Sequence, residues 1–214
     1  MVGAPAGLIR LTAVFSLRAS VSFALRASVV VALAASATST FAATTAYVVT
    51  GSCRDGRPHG AYELRASDGQ LRVAGAFNQG KRIGSFLFWS SAGARIALLP
   101  FDDDALNGTV ALWYSSTAPK ADPKPKLEAA YGNGLPEGNT RSWYPDGRRR
   151  GEFRYDHGVL AEARAWSAKG AALPEAEARA MAARDRAADD QFYTALEATV
   201  RDNPPRCDAD GRKS

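Results

Sequence analysis

Residue types that carry catalysis or bind metals are scarce in this chain. Its 214 residues include two histidines, two cysteines and two methionines. No Gly-x-Ser-x-Gly elbow, phosphate-binding Gly-rich loop or dinucleotide fingerprint occurs, which removes the common hydrolase, nucleotidase and dehydrogenase signatures. No His/Cys/carboxylate group stands at metal-ligand spacing, so neither a metal nor a cofactor is expected. Asp102-Asp103-Asp104 lacks the spaced oxygen ligands of a calcium loop and reads as a turn. Long apolar runs are missing too. The longest, residues 27–37, is well short of the roughly 20 residues that span a bilayer.

Acidic residues are absent from residues 1–42, which hold Arg10, Arg18 and Arg26, then the apolar run, and end on Thr40-Phe41-Ala42. This is the pattern of a secretory signal peptide cleaved after Ala42. The full chain carries 27 basic and 22 acidic side chains, and losing three arginines leaves 24 against 22, a net charge of +2. So small an excess excludes nucleic acid as an expected partner. The exported chain is expected in the periplasm or medium, with no membrane span after signal removal.

The middle of the chain contains a beat. Gly56/Gly60 is followed after 24 residues by Gly80/Gly84, and Gly134/Gly138 is echoed by Gly158. With the second glycine as origin, successive units start at Gly60, Gly84, Gly108, Gly138 and a degenerate Glu162. The interval from Gly108 to Gly138 is 30, which predicts a six-residue insertion in the Pro/Lys-rich segment 115–126. Alternating runs around Ser67-Asp68-Gly69 and Pro145-Asp146-Gly147 are hairpin signatures. The paired glycines fall in the connections, where Gly takes positive φ and leaves room for a ring to cross the backbone. His59 and His157 fall in the same connections and read as exposed turn residues. Equal spacing means one small unit stacked on copies of itself.

These units resemble the MORN repeat, in the bacterial variant associated with YwqK-like antitoxins. The resemblance rests on Gly56 to Leu64 (GRPHGAYEL), Gly80 to Trp89 (GKRIGSFLFW) and Asn133 to Tyr144 (NGLPEGNTRSWY). It covers over half of the chain. It implies a mainly β fold, an elongated antiparallel sheet of successive hairpins, serving as an interaction scaffold. The predicted organisation is a signal peptide over 1–42, a lead-in strand over 43–54 and five repeats over 55–173. A C-terminal helix over 174–203 and a tail over 204–214 follow.

Pro174, Glu175 and Glu177 suit a helix start, and Asn203-Pro204-Pro205 a stop. The apolar ridge expected on it is Ala188, Phe192, Leu196 and Val200, with Met181. Cys53 and Cys207 form an isolated pair which, in an oxidising compartment, is read as a disulfide. Such a bond requires the helix to run back along the sheet.

Trp89, Trp113, Trp143 and Trp166 hold nearly equivalent repeat positions, with Tyr144 beside one of them. Because a thin sheet has little else to bury, they are expected to form its core. The other reading makes them an exposed strip able to hold sugar rings or an extended peptide. The functional expectation is an exported, non-catalytic scaffold with a protein partner in the cell envelope. A carbohydrate or cell-wall binding module is the alternative, and the family resemblance adds an antitoxin-like neutralising protein.

Overall fold

The computed structural model describes residues 47–115 and 123–207. The expected signal peptide, the first residues of the lead-in strand, most of the insertion and the end of the tail lie outside the described residues.

The chain is mainly β, with one open antiparallel sheet and one C-terminal helix. The strands are β1 (Tyr47–Arg54), β2 (Arg57–Ala66), β3 (Leu71–Asn78), β4 (Lys81–Trp89) and β5 (Arg95–Asp102). They continue with β6 (Ala105–Leu106), β7 (Gly108–Trp113), β8 (Pro125–Gly132), β9 (Leu135–Trp143), β10 (Arg149–Asp156) and β11 (Val159–Ala165). Each strand pairs with its sequence neighbours, and β6 and β7 lie in succession beside β5.

Two turn types alternate along this meander, and the tighter one accounts for the first glycine of each pair. Tight turns have Asp55-Gly56, Gln79-Gly80, Asp103-Asp104, Asn133-Gly134 and His157-Gly158 at their centres, all with positive φ. Positive φ at both central residues marks the type I′ turn, whose twist matches that of paired strands. Three-residue turns close the other strand ends. In these, Gly69, Gly93, Gly147 and Gly170, all at positive φ, donate their N–H to the carbonyl oxygens of Ala66, Ser90, Tyr144 and Ser167. Between β7 and β8 the equivalent closure is Tyr114 N–H to Lys124 O at 2.9 Å. The insertion therefore ends before β8, and Pro125 and Lys126 are strand residues rather than part of the loop.

The second glycine of each pair sits in a bulge. Ser52 faces His59, Gly60 and Ala61; Gly75 faces Gly84, Ser85 and Phe86; Ala130 faces Glu137, Gly138 and Asn139. Gly60, Gly84 and Gly138 all have positive φ there, and so does Gly108 where β6 gives way to β7. Between β10 and β11 only Ala161 is extra, which explains why Glu162 suffices where the other units need glycine.

The expectation that rings cross these glycines is corrected. A Cβ at Gly56, Gly84 or Gly134 would meet nothing within 4 Å. The crowded glycines are Gly51, under Pro205, Gly75, under Phe86, and Gly151, under Phe153 and Ser142.

One face of the sheet forms the core. Phe77, Phe86 and Phe101 meet edge to face at 5.6 and 5.5 Å, with Tyr62 against Phe77 at 5.3 Å. Helix α1 (Glu175–Arg201) lies on this face and crosses the strands. Its start packs Ala178, Met181 and Ala182 on Phe153 and Tyr155, and its end packs Tyr193 and Val200 into the cluster of Tyr62 and Leu64. The buried ridge is therefore Ala178, Met181, Ala182, Asp189, Tyr193 and Val200. Ala188 is exposed, and Phe192 and Leu196 are half-buried flanks.

Twenty-seven residues at about 1.5 Å each span about 40 Å, close to the nine gaps of about 4.8 Å between the ten main strands. The helix is thus long enough to return the chain to its first strands. Tyr62 donates its hydroxyl to Asn203 O at 2.8 Å, and Cys53 and Cys207 are disulfide-bonded with their Cα atoms 5.6 Å apart.

Candidate functional site

With the helix on one face, the opposite face is the larger uncovered surface among the described residues. Strand alternation decides what it presents. Trp89, Trp113, Trp143 and Trp166 each follow a buried residue (Phe88, Leu112, Ser142 and Ala165), so they point to the open side. All four are half-buried and none belongs to a core cluster. The expectation of a tryptophan core is overturned. The inward positions of each unit already hold Tyr62 and Leu64, Phe86 and Phe88, or Val110 and Leu112, and these with Phe77, Phe101 and Tyr131 fill the core.

The tryptophans are braced by their neighbours. Arg95 stacks 4.5 Å above Trp113, and Arg149 lies 5.9 Å from Trp166. Tyr114 donates its hydroxyl to Trp143 O and Tyr144 to Trp166 O, both at 2.7 Å. This repeated contact ties each strand end to the next unit.

A second row crosses the open face in register. Ala74, Leu87, Leu98 and Ala111 are mutual partners, and the row continues through Glu128, Arg141, Glu152 and Arg164. Opposite charges on neighbouring strands stabilise a pair by about 0.2–1 kcal/mol. A shallow depression of about 190 Å³ lies over the charged end, lined by Arg141, Glu152, Arg154 and Arg164. The face therefore combines an apolar centre, a charged flank of both signs and a rim of tryptophans.

The helix side contains a polar site that sequence reasoning missed. At the inward positions the fourth unit has Thr140 and Ser142, both buried, where the first three have large apolar pairs. Their hydroxyls and that of Tyr193 lack hydrogen-bond partners. They line a void of about 20 Å³ together with Asp189, enough for about one water molecule. Burial pushes the Asp189 carboxyl up, against the pull of Lys126, whose Nζ is 3.4 Å away. A neighbouring cleft of about 320 Å³ continues outward past Ser142 to Tyr114, Trp143 and Arg150. Arg150 pairs with Asp185, which fixes the helix beside this cleft. The signal was present in the register: hydroxyl residues stand where three other copies have apolar ones.

The histidines separate. His157 occupies a tight turn, with Nδ1 2.5 Å from Asp156 Oδ1 and 3.6 Å from Glu137 Oε2. Its hydrogen bond to Asp156, then the charge of Glu137, hold its pKa above the usual value. Sequence spacing did not reveal this trio, because strand register brings Glu137 to the turn. His59 is not a turn residue; it lies half-buried in the bulge of β2 with Nδ1 unpartnered. Asp103 and Asp104 form a tight turn and are engaged by Lys81 and Arg82 at 2.9 and 2.8 Å. Of the other predicted residues, Gly56, Gly80, Gly134 and Gly158 are turn centres and Gly60, Gly84, Gly108 and Gly138 lie in or beside bulges.

No protein-family model matches the chain, and no curated protein matches it.

Proposed function

We propose that this chain is an exported, non-catalytic MORN-like repeat scaffold that binds another protein through the open face of its sheet, in the cell envelope. The observation that supports this reading is the composition of that face. Half-buried tryptophans, arginines and an apolar centre lie together on a surface that no described element covers. Trp, Tyr and Arg are the residues that dominate protein interfaces, because they combine large buried area with directional polar contacts. The intramolecular stacking of Arg95 on Trp113 holds that ring in place before any partner arrives, which lowers the ordering cost of binding. Export accords with the Cys53–Cys207 disulfide, since such bonds persist outside the reducing cytosol. No helix among the described residues is long and apolar enough to cross a membrane.

Capture from envelope extracts tests the reading. The mature protein should retain a partner that is lost with Trp143→Ala and Arg141→Glu, while Ala188→Glu, on the exposed side of the helix, leaves it bound. Equal capture by all three variants would remove the open face from consideration.

A second reading has one observation in its favour. The tryptophans recur on every second strand, about 9.6 Å apart from the strand spacing, as a strip on which sugar rings could stack. Arg95 already occupies one face of Trp113, which weakens this reading at that position. Tryptophan fluorescence separates the two: a shift on adding cell-wall glycan fragments supports the strip, and silence with every fragment eliminates it.

A further inference from the structure

The two edges of the sheet are treated differently by the chain. At β11 the edge is blocked. After Trp166 the chain turns back so that Ala172 bridges Trp166, and Leu173 donates its N–H to Ala165 O at 2.9 Å. Further along, the Arg179 guanidinium of α1 donates to Leu160 O at 3.4 Å and Ala161 O at 3.2 Å. β11 also carries Glu162 and Arg164. Covered ends, charges and a capping side chain are the means by which sheets avoid unwanted pairing.

At β1 these devices are confined to its C-terminal end, where Arg54 carries charge and Pro205 to Cys207 lie against Gly51 and Cys53, and among the described residues none reaches Tyr47 to Thr50. β1 pairs only with β2. From Tyr47 to Cys53 it reads YVVTGSC, with no charge and no proline, and Val48 is 58% exposed. A groove of about 480 Å³ runs along it, lined by Tyr47 to Gly51 with Pro205 and Arg206 as one wall. The disulfide holds that wall in place through Cys207.

We infer that β1 is a dimerisation edge at which two copies of this chain pair antiparallel, β1 against β1, continuing the sheet from one copy into the other. A second copy is the occupant for two reasons. Every neighbour in this sheet is antiparallel, and a two-fold axis beside β1 supplies an antiparallel strand that is self-complementary. The blocked β11 edge also forbids the β11-to-β1 contact that would generate an open fibre, so the closed dimer is the edge pairing left to identical copies. Unpaired backbone N–H and C=O groups along β1 gain partners, and the exposed Val48 side chains come together. The open face proposed above for a different protein is not consumed by this pairing.

The test uses the mature protein in a sedimentation-equilibrium concentration series, with circular dichroism confirming the fold. Val48→Lys with Thr50→Lys places like charges across the new strand pair; both positions are exposed, so the monomer should fold. The matching variant carries Val48→Glu and Thr50→Glu. The wild type is expected to dimerise reversibly, each variant to dimerise at least about tenfold more weakly, and an equal mixture to recover the affinity as a heterodimer. Trp143→Ala should dimerise like the wild type. A wild type that stays monomeric, variants that dimerise unchanged, or a mixture without recovery each overturn the inference. Dimerisation abolished by Trp143→Ala alone would also overturn it, by moving the contact to the open face. So would dimerisation that appears only when residues 208–214 are removed, since the chain's own tail would then occupy the edge.

Discussion

Two glycines that look alike in the sequence should fail for opposite reasons when replaced. Gly84 has a φ of 66° and open space where a Cβ would stand. Ala there must adopt the left-handed region, at about 1–2 kcal/mol, offset by about 0.4–1 kcal/mol from a stiffer unfolded chain. Gly84→Ala should therefore cost about 1 kcal/mol, and Gly84→Asn less, because Asn tolerates that region. Gly75 has no positive φ, but its Cβ would lie 2.6 Å from Cδ1 and Cε1 of Phe86. That ring is fully buried between Phe77 and Phe101 and has little room to retreat. Overpacking of this kind costs about 1–3 kcal/mol. Asn at position 75 should be worse than Ala, the reverse of the order at 84. Urea denaturation at constant m-value measures each variant. A double-mutant cycle of Gly75→Ala with Phe86→Leu should show a favourable coupling above about 1 kcal/mol, whereas Gly84→Ala with Phe86→Leu should be additive within about 0.5 kcal/mol. An additive first cycle, or Asn no better than Ala at 84, refutes the division between conformational and spatial glycines.

Two further outcomes test the helix side. Reduction of the disulfide, or Cys53→Ser with Cys207→Ser, releases a closure of 154 residues; the chain-entropy estimate of about 5 kcal/mol is an upper bound, so a loss of about 2–5 kcal/mol is expected in thermal or urea unfolding, and an unchanged midpoint would contradict it. Asp189 has a folded pKa raised above its unfolded value, so its ionisation in the folded protein costs stability at neutral pH, and that cost disappears as pH falls through the raised pKa toward the ordinary range near 3.8. Asp189→Asn should accordingly be more stable than the wild type at pH 7, with the gap closing on acidification; a less stable variant at pH 7 would show that the Lys126 ion pair outweighs the burial cost.

Much of the fold was legible because it is written in local chemistry. An Asn-Gly or Asp-Gly turn, a bulge glycine and a three-residue turn each impose a backbone geometry that depends on a few adjacent residues. Their recurrence at 24 residues therefore announces successive hairpins. The helix was legible for the same reason, from Pro174 at its start to Asn203-Pro204 at its end. The tryptophans were misjudged because burial is not local. Which side of a strand faces the core depends on where the helix docks, and shifting the inward set by one residue exchanges Phe88 for Trp89. The Thr140–Ser142–Tyr193 void and the meeting of Glu137 with His157 needed strand register and helix placement, and so remained hidden.

The amino-acid order alone determined a meander of paired strands, a closing helix and a cysteine pair, since turn conformation, alternation and helix capping act over a few bonds. Only the tertiary structure decided which face is covered, which aromatic rings are left at the surface and which edge of the sheet the described residues leave open. Those outcomes depend on one long-range fact: a helix of 27 residues is about as long as the sheet is wide. It therefore buries one face, blocks the last strand at its start, and is tied to the first strand through the disulfide beyond its end.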